Sequence, residues 1–262
     1  LEPHLDILYK LQDIKVWKHD VINKVKNFNL EELKKEYNSH PEYGLINIPE
    51  FLPKHIVDAC SKELYDLPIK EMKHFTRKGS CMYECNNLYI TPCQDKLVHA
   101  LNGVEFIDWL EQLTGVSRLI PDQRLIGSGY MKSYTGDTLQ IHTDFNWVEE
   151  LKLNRAVNII VYFNPDWKEE WGGSLNFYDT KRDKVHSSIK PGNGNLLVWT
   201  YKNLVYHGYP DPINCPENEC RRGMRLFYLT KDAKTDTKQC PHRSLYWFDK
   251  QTKLPYDDKT KK

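Results

Sequence analysis

RAVNIIVYFN, residues 155 to 164, is a run of β-branched and aromatic residues that reads as a strand. It has company on both sides. RLIGSGYMKSY (124–134), GSLNFYD (173–179), GNLLVWT (194–200), NLVYHGYP (203–210) and GMRLFYLT (223–230) have the same texture and are separated by clusters of Gly, Pro, Asn and Asp. Several short strands at that spacing predict a sandwich or jelly roll over residues 124–230.

Upstream the period changes from two to between three and four. HLDILYKLQDIKVWKHDVINKVKNF (4–28) places apolar residues at helical steps, and NLEELKKEY (29–37) opens on an Asn cap. GLINIPEFL (44–52) alternates like a strand; PKHIVDACSKELYDL (53–67) starts a helix at Pro53; VEFIDWLEQLTG (104–115) is a helix closed by Gly115. The chain therefore reads as one domain, 1–262. A helical extension (1–45) packs on one sheet of a mainly β core, an α+β arrangement. A polar tail, 231–262, is expected to fray.

Composition narrows the partners. The 262 residues carry 37 basic against 36 acidic groups, so no net field points to nucleic acid or an anionic membrane. No run of about 18 apolar residues would span a bilayer, and the first residues lack the basic and apolar regions of a secretory leader. With seven cysteines, an odd number, mostly reduced thiols in a cytoplasmic protein are expected. Cys81 and Cys85 lack the second pair a zinc site needs, and Cys215–Cys220 is the one disulfide considered.

LQIHTDFNW (139–147) carries the chemistry. His142 and Asp144 stand two apart and point to one face of a strand, so both can bind one ion. His207, between an apolar strand and a Gly/Pro turn, is the candidate third ligand. Two histidines and a carboxylate form the facial triad of non-haem Fe(II) oxygenases, although spacing alone only permits this. An acidic cosubstrate would need a buried partner, which arginine makes best. On RRGMRLFYLT (221–230), Arg221 and Arg225 share one face and Arg222 takes the other, so whichever face is inward holds the anchor. Asn158 and Trp199 are further candidates to face the pocket. DWKEEWGG (166–173) reads as a turn with Trp167 and Trp171 packed.

These segments together, HTD at 142, 157–179 and 194–230, resemble the Fe(II)/2-oxoglutarate-dependent oxygenase superfamily, in its prolyl-4-hydroxylase-like branch. The resemblance implies a double-stranded β-helix with Fe(II) on His142, Asp144 and His207. It also implies 2-oxoglutarate anchored by Arg221, O2 as oxidant and ascorbate as an optional reductant. Where many relatives have Ser two residues past that Arg, this chain has Gly223. Tyr134 resembles a tyrosine that touches the cosubstrate in such enzymes, although Thr135 replaces the usual proline. Because Asp144 keeps the carboxylate that halogenating relatives lack, the implied reaction is hydroxylation. The implied substrate is a prolyl or other side chain in a peptide or protein, or else a free amino acid or other small molecule. A cupin-like metal protein without 2-oxoglutarate is the alternative. FTRKGSCMYECNNLYITP (75–92) is read as either a substrate-covering loop or a plain long connection.

Overall fold

The computed structural model describes residues 2–40, 42–179, 184–200, 204–231, 241–247 and 255–257. Five helices precede or flank the strands: α1 (Glu2–Lys26), α2 (Leu30–Tyr37), α3 (Lys54–Asp66), α4 (Pro92–Leu101) and α5 (Val104–Thr114). Their ends follow local rules. Asn29 caps α2 by accepting from the backbone N–H groups of Glu31 and Glu32, and Gly115 closes α5 in the left-handed conformation. The N-terminus of α4 is capped from another element. The Glu63 carboxylate of α3 accepts the Cys93 and Gln94 N–H groups at 2.8 and 2.9 Å and the Tyr130 hydroxyl at 3.0 Å.

The strands are β1 (Leu45–Ile48), β2 (Lys73–Arg77), β3 (Ser80–Cys85), β4 (Ile120–Pro121), β5 (Gly129–Ser133), β6 (Leu139–Thr143), β7 (Trp147–Val148) and β8 (Leu153–Phe163). After them come β9 (Leu175–Tyr178), β10 (Val185–Ile189), β11 (Asn193–Thr200), β12 (His207–Tyr209), β13 (Arg221–Thr230), β14 (Leu245–Trp247) and β15 (Pro255–Asp257). They form two facing antiparallel sheets. The larger runs β1-β11-β8-β13-β5-β3-β2, with β4 on β13 and β7 on β8; the smaller runs β10-β9-β12-β6-β14-β15. This is the expected jelly roll with a helical layer on one sheet.

β8 shows why the opening run is apolar almost throughout: Arg155 to Phe163 are all buried. Val157, Ile159, Val161 and Phe163 pack under the helices with Val21, Ile56, Leu64 and Phe106. Ile160 and Tyr162 point the other way, between the sheets, against Leu175, Phe177, Trp199 and Tyr209. A strand covered on both faces has no polar side to display.

Two expectations are revised. Residues 75–92 are not one loop: β2 and β3 form a hairpin whose turn, Lys78–Gly79, has both φ angles positive (52° and 83°), the type I′ pattern. The chain then enters α4. Within the supposed fraying tail, β14 pairs with β6, and Leu245 lies opposite Thr143 and Tyr246 opposite His142. The remaining tail residues, Cys240 included, lie outside the described residues. Cys215 and Cys220 are both free thiols. No helix among the described residues is long and apolar enough to cross a membrane.

Candidate metal centre and its two cavities

β6 and β12 are neighbours in the smaller sheet, and the pairing sets His207 directly opposite His142. Asp144 follows the end of β6. Nitrogen or oxygen atoms of the three side chains lie within 4.8 Å of one another, and all three residues are buried. His142 Nδ1 donates to the Gln140 carbonyl at 2.8 Å and His207 Nδ1 to the Val205 carbonyl at 2.9 Å. A carbonyl only accepts, so each Nδ1 carries a proton and each Nε2 is the nitrogen turned inward. The two Nε2 atoms face Asp144 at 3.4 Å (His142) and 3.5 Å (His207).

The protonation states agree. Burial, with His142 alongside, pushes the His207 imidazole down to about 4, so it is neutral at pH 7. Burial works to raise the Asp144 carboxyl, but Arg155 and the two histidines outweigh it and hold the group well below the usual carboxylate range. Two imidazoles and a carboxylate converge on a common point. A cation reconciles that arrangement, and the donor set suits Fe(II). Asn158 Nδ2 steadies Asp144 Oδ2 at 3.2 Å. The Tyr246 and Phe177 rings lie nearly parallel to the two imidazoles, centred 5.4 Å from His142 and 5.6 Å from His207.

The centre separates two cavities. The inner one lies between the sheets and is lined by all three triad residues, Ser133, Trp199, Tyr209 and Arg221. Arg221 is 4 % exposed, donates through Nε to the Gly173 carbonyl at 2.8 Å, and reaches the Tyr162 hydroxyl through NH2 at 3.1 Å. Its guanidinium lies between the rings of Tyr162 and Tyr209, 5.0 and 4.6 Å from their centres. Gly173 makes that seat possible, because a Cβ there would stand 3.1 Å from Arg221 Cδ. Gly223 is explained the same way: a Cβ would press on the Val161 carbonyl at 3.0 Å and on Tyr162 at 3.4 Å, so tyrosine fills the room a serine would need. Trp199 Nε1 is buried with no hydrogen-bond partner among the described residues, a donor that an acidic ligand in this cavity could satisfy.

The other two arginines of β13 have different employment. Arg222 turns outward to the Phe163 carbonyl (3.1 Å) and Tyr65. Arg225 shares the inward face but donates to the Gly127 carbonyl at 2.7 Å and to Glu84 at 2.6 Å. The expectation for Tyr134 is revised. β5 ends at Ser133, whose hydroxyl meets Tyr209 at 3.0 Å. Tyr134 instead enters a turn closed by Asp137 and packs edge-on against Tyr83, outside the residues lining the inner cavity.

The outer cavity, about 130 Å³, opens from His142 and Asp144 on the other side. Phe75, Arg77 and Glu84 of the hairpin, Phe145, Arg155 and Tyr246 of β14 contribute to it. Tyr162, Ser133 and Tyr209 were missed by sequence reading, as were Arg155 and Tyr246. Tyr209 was recoverable, because it stands two residues past His207 on the same strand face.

Residues 129–231 match the model of the 2OG-Fe(II) oxygenase superfamily. A comparison with curated proteins found no match. Among solved structures, the chain is similar to a prolyl hydroxylase from Trichoplax adhaerens in complex with a hypoxia inducible factor peptide fragment. That match has 15 % identity, covers 88 % of this chain and 97 % of that one, and has a TM-score of 0.53. A prolyl-4-hydroxylase from Pseudomonas putida matches at 17 % identity, over 76 % and 100 % of the two chains, with a TM-score of 0.56. The 2-oxoglutarate-dependent epimerase SnoN of nogalamycin biosynthesis matches at 13 % identity, over 83 % and 84 %, with a TM-score of 0.51. At these identities the structures establish the fold. The core segment, residues 129–231, is thus similar to the 2OG-Fe(II) oxygenase superfamily, whose cofactors are Fe(II) and 2-oxoglutarate, and the solved structures share the jelly-roll fold.

Proposed function

We propose that the protein is a 2-oxoglutarate-dependent hydroxylase whose Fe(II) is held by His142, Asp144 and His207. The observation that carries this reading is the trio of convergent acceptors with a buried arginine across the adjoining inner cavity. Bound Fe(II), with O2, supplies the coupling of 2-oxoglutarate decarboxylation, to succinate and CO2, with insertion of oxygen into a substrate C–H bond. The chain's own residues bind, orient and exclude water. Arg221, steadied by Tyr162, Tyr209 and the Gly173 carbonyl, pairs with the distal carboxylate of the cosubstrate. Asn158 fixes the Asp144 carboxylate, and the Gln140 and Val205 carbonyls fix both histidine tautomers. Phe177, Trp199 and Tyr246 wall the imidazoles from solvent.

The substrate reading has two forms. The Trichoplax and Pseudomonas prolyl hydroxylases favour an amino-acid side chain, prolyl above all, in a peptide or protein. The small outer cavity, with β14 across the neighbouring sheet edge, favours a free amino acid or other small molecule. The test of the reaction needs neither substrate. Protein supplied with Fe(II), O2 and 2-oxo[1-¹⁴C]glutarate is expected to release labelled CO2 slowly, and to stop when a chelator removes the metal. Release that is unaffected by the chelator, or equal to a protein-free control, contradicts the proposal.

A further inference from the structure

We infer that the indole N–H of Trp199 is a cosubstrate-binding group, one that donates to the metal-side carboxylate of 2-oxoglutarate at the end of the inner cavity away from Arg221. The inference rests on the reading of the triad as the iron site of an oxygenase and adds to it a residue that sets how the cosubstrate is held.

An unmet donor is the first observation. Trp199 is 1 % exposed on β11, its side chain lines the inner cavity, and its Nε1 meets no hydrogen-bond acceptor among the described residues. A buried N–H without an acceptor carries a desolvation cost that a bound acceptor removes. Such a donor does not make a site by itself. Trp109 on α5 also has a buried, partnerless Nε1, but its ring packs against Phe51 and Phe106 under the helices and lines neither cavity. Trp199 differs in having a cavity at its side, one that also holds the buried guanidinium of Arg221. An indole N–H only donates, so whatever satisfies it brings an acceptor.

Position is the second. Trp199, Asn158 and Phe227 stand abreast on the neighbouring strands β11, β8 and β13, and residues paired in that way share one face of the sheet. Asn158 in this row donates to Asp144 Oδ2 at 3.2 Å, and the Trp199 ring is steeply inclined to the His207 ring with centres 5.4 Å apart. The indole therefore belongs to the metal end of the cavity. Arg221 comes from the start of β13, opposite Ser133, and its guanidinium is seated at Tyr162 and Tyr209. A 2-oxo diacid carries oxygens at both ends. Its distal carboxylate suits Arg221. At the other end, chelation through the keto oxygen and one carboxylate oxygen leaves the second carboxylate oxygen free, and that oxygen is the acceptor assigned to Trp199.

The experiment has two arms. The first uses unaltered protein with its seven tryptophans labelled with ¹⁵N and with Zn(II) as a diamagnetic stand-in for Fe(II). Addition of 2-oxoglutarate is expected to move one indole N–H proton downfield, the mark of a donor gaining an acceptor, and that resonance is expected to be missing from Trp199→Phe. If no indole resonance moves while calorimetry shows 2-oxoglutarate binding, the inference is overturned, and this outcome needs no variant that folds. A moving resonance that survives in Trp199→Phe overturns it as well. The second arm loads the protein anaerobically with Fe(II) and reads the visible charge-transfer band given by 2-oxoglutarate. Trp199→Phe keeps a ring in place and removes the donor, so the dissociation constant should rise about tenfold. The band should also move to shorter wavelength, because the lost hydrogen bond no longer stabilises the orbital that receives the electron. Arg221→Ala is expected to raise the constant without moving the band, and Trp109→Phe to change neither. A Trp199→Phe protein that matches the parent in both overturns the inference, and a raised constant with an unmoved band overturns its assignment to the metal end. Absence of the band in unaltered protein instead removes the oxygenase reading, and the inference with it.

Discussion

The two cavities on either side of the triad are built from different material. The inner one is made of central strands: Ser133 on β5, Trp199 on β11, Tyr209 on β12 and Arg221 on β13, each fixed in register by neighbours on both sides. The outer one adds marginal elements to central ones: the β2–β3 hairpin at one sheet edge and β14, next to the last strand of the other sheet, join Arg155 of β8 and Arg225 and Phe227 of β13. On the proposed function, central strands would hold the cosubstrate in a rigid frame, and edge elements could vary without disturbing it. The cavity assigned to the cosubstrate by that proposal is the one set deepest in the fold.

Substitutions can break or sharpen that contrast. The largest effect is expected at the triad. His142→Ala should abolish stoichiometric Fe(II) binding, read by metal analysis after gel filtration, and cut succinate formation by more than the ~100-fold typical of losing an outer-shell partner. Arg221→Ala comes next: the dissociation constant for 2-oxoglutarate should rise about 30- to 150-fold, or ~2–3 kcal/mol, while iron still binds. If Arg225→Ala causes the greater loss of 2-oxoglutarate affinity, the division between the cavities is drawn in the wrong place. Asn158→Ala, which removes the support of Asp144, should weaken Fe(II) binding by roughly tenfold.

The smallest change belongs to the arginine next door. Arg222→Ala loses a hydrogen bond to the Phe163 carbonyl on the outer face of β13, so it should cost about 1–2 kcal/mol in denaturant unfolding. Its 2-oxoglutarate affinity should stay within about twofold of the parent. A large drop in affinity would mean that the two faces of β13 are not independent.

What was legible in the sequence follows the same division. The strand runs of 124–230 were readable because a strand buried on both faces is apolar without interruption, as β8 is. His142, Asp144 and His207 were readable as a ligand set, and their convergence required the β6–β12 register that no local pattern encodes. Arg221 could be separated from Arg222 and Arg225 only by the resemblance, whereas the structure distinguishes them by partner: Tyr162, Phe163 and Glu84 in turn. The hairpin was missed because its strands are partly exposed and rich in polar residues, so they lack the apolar alternation that marks a strand. Its Lys-Gly turn was the available signal. β14 is three residues long, too short for any period, and its place beside β6 is a tertiary matter. Tyr134 misled because a one-residue difference in where β5 ends decides which side chain faces inward.

The most direct test of the central claim is an anaerobic visible spectrum of the protein with Fe(II), recorded before and after addition of 2-oxoglutarate. A metal-to-ligand charge-transfer band should appear on addition, vanish in His207→Ala and require much more 2-oxoglutarate in Arg221→Ala. Iron-loaded protein that gives no band at saturating 2-oxoglutarate would contradict the account and favour a metal protein of another kind.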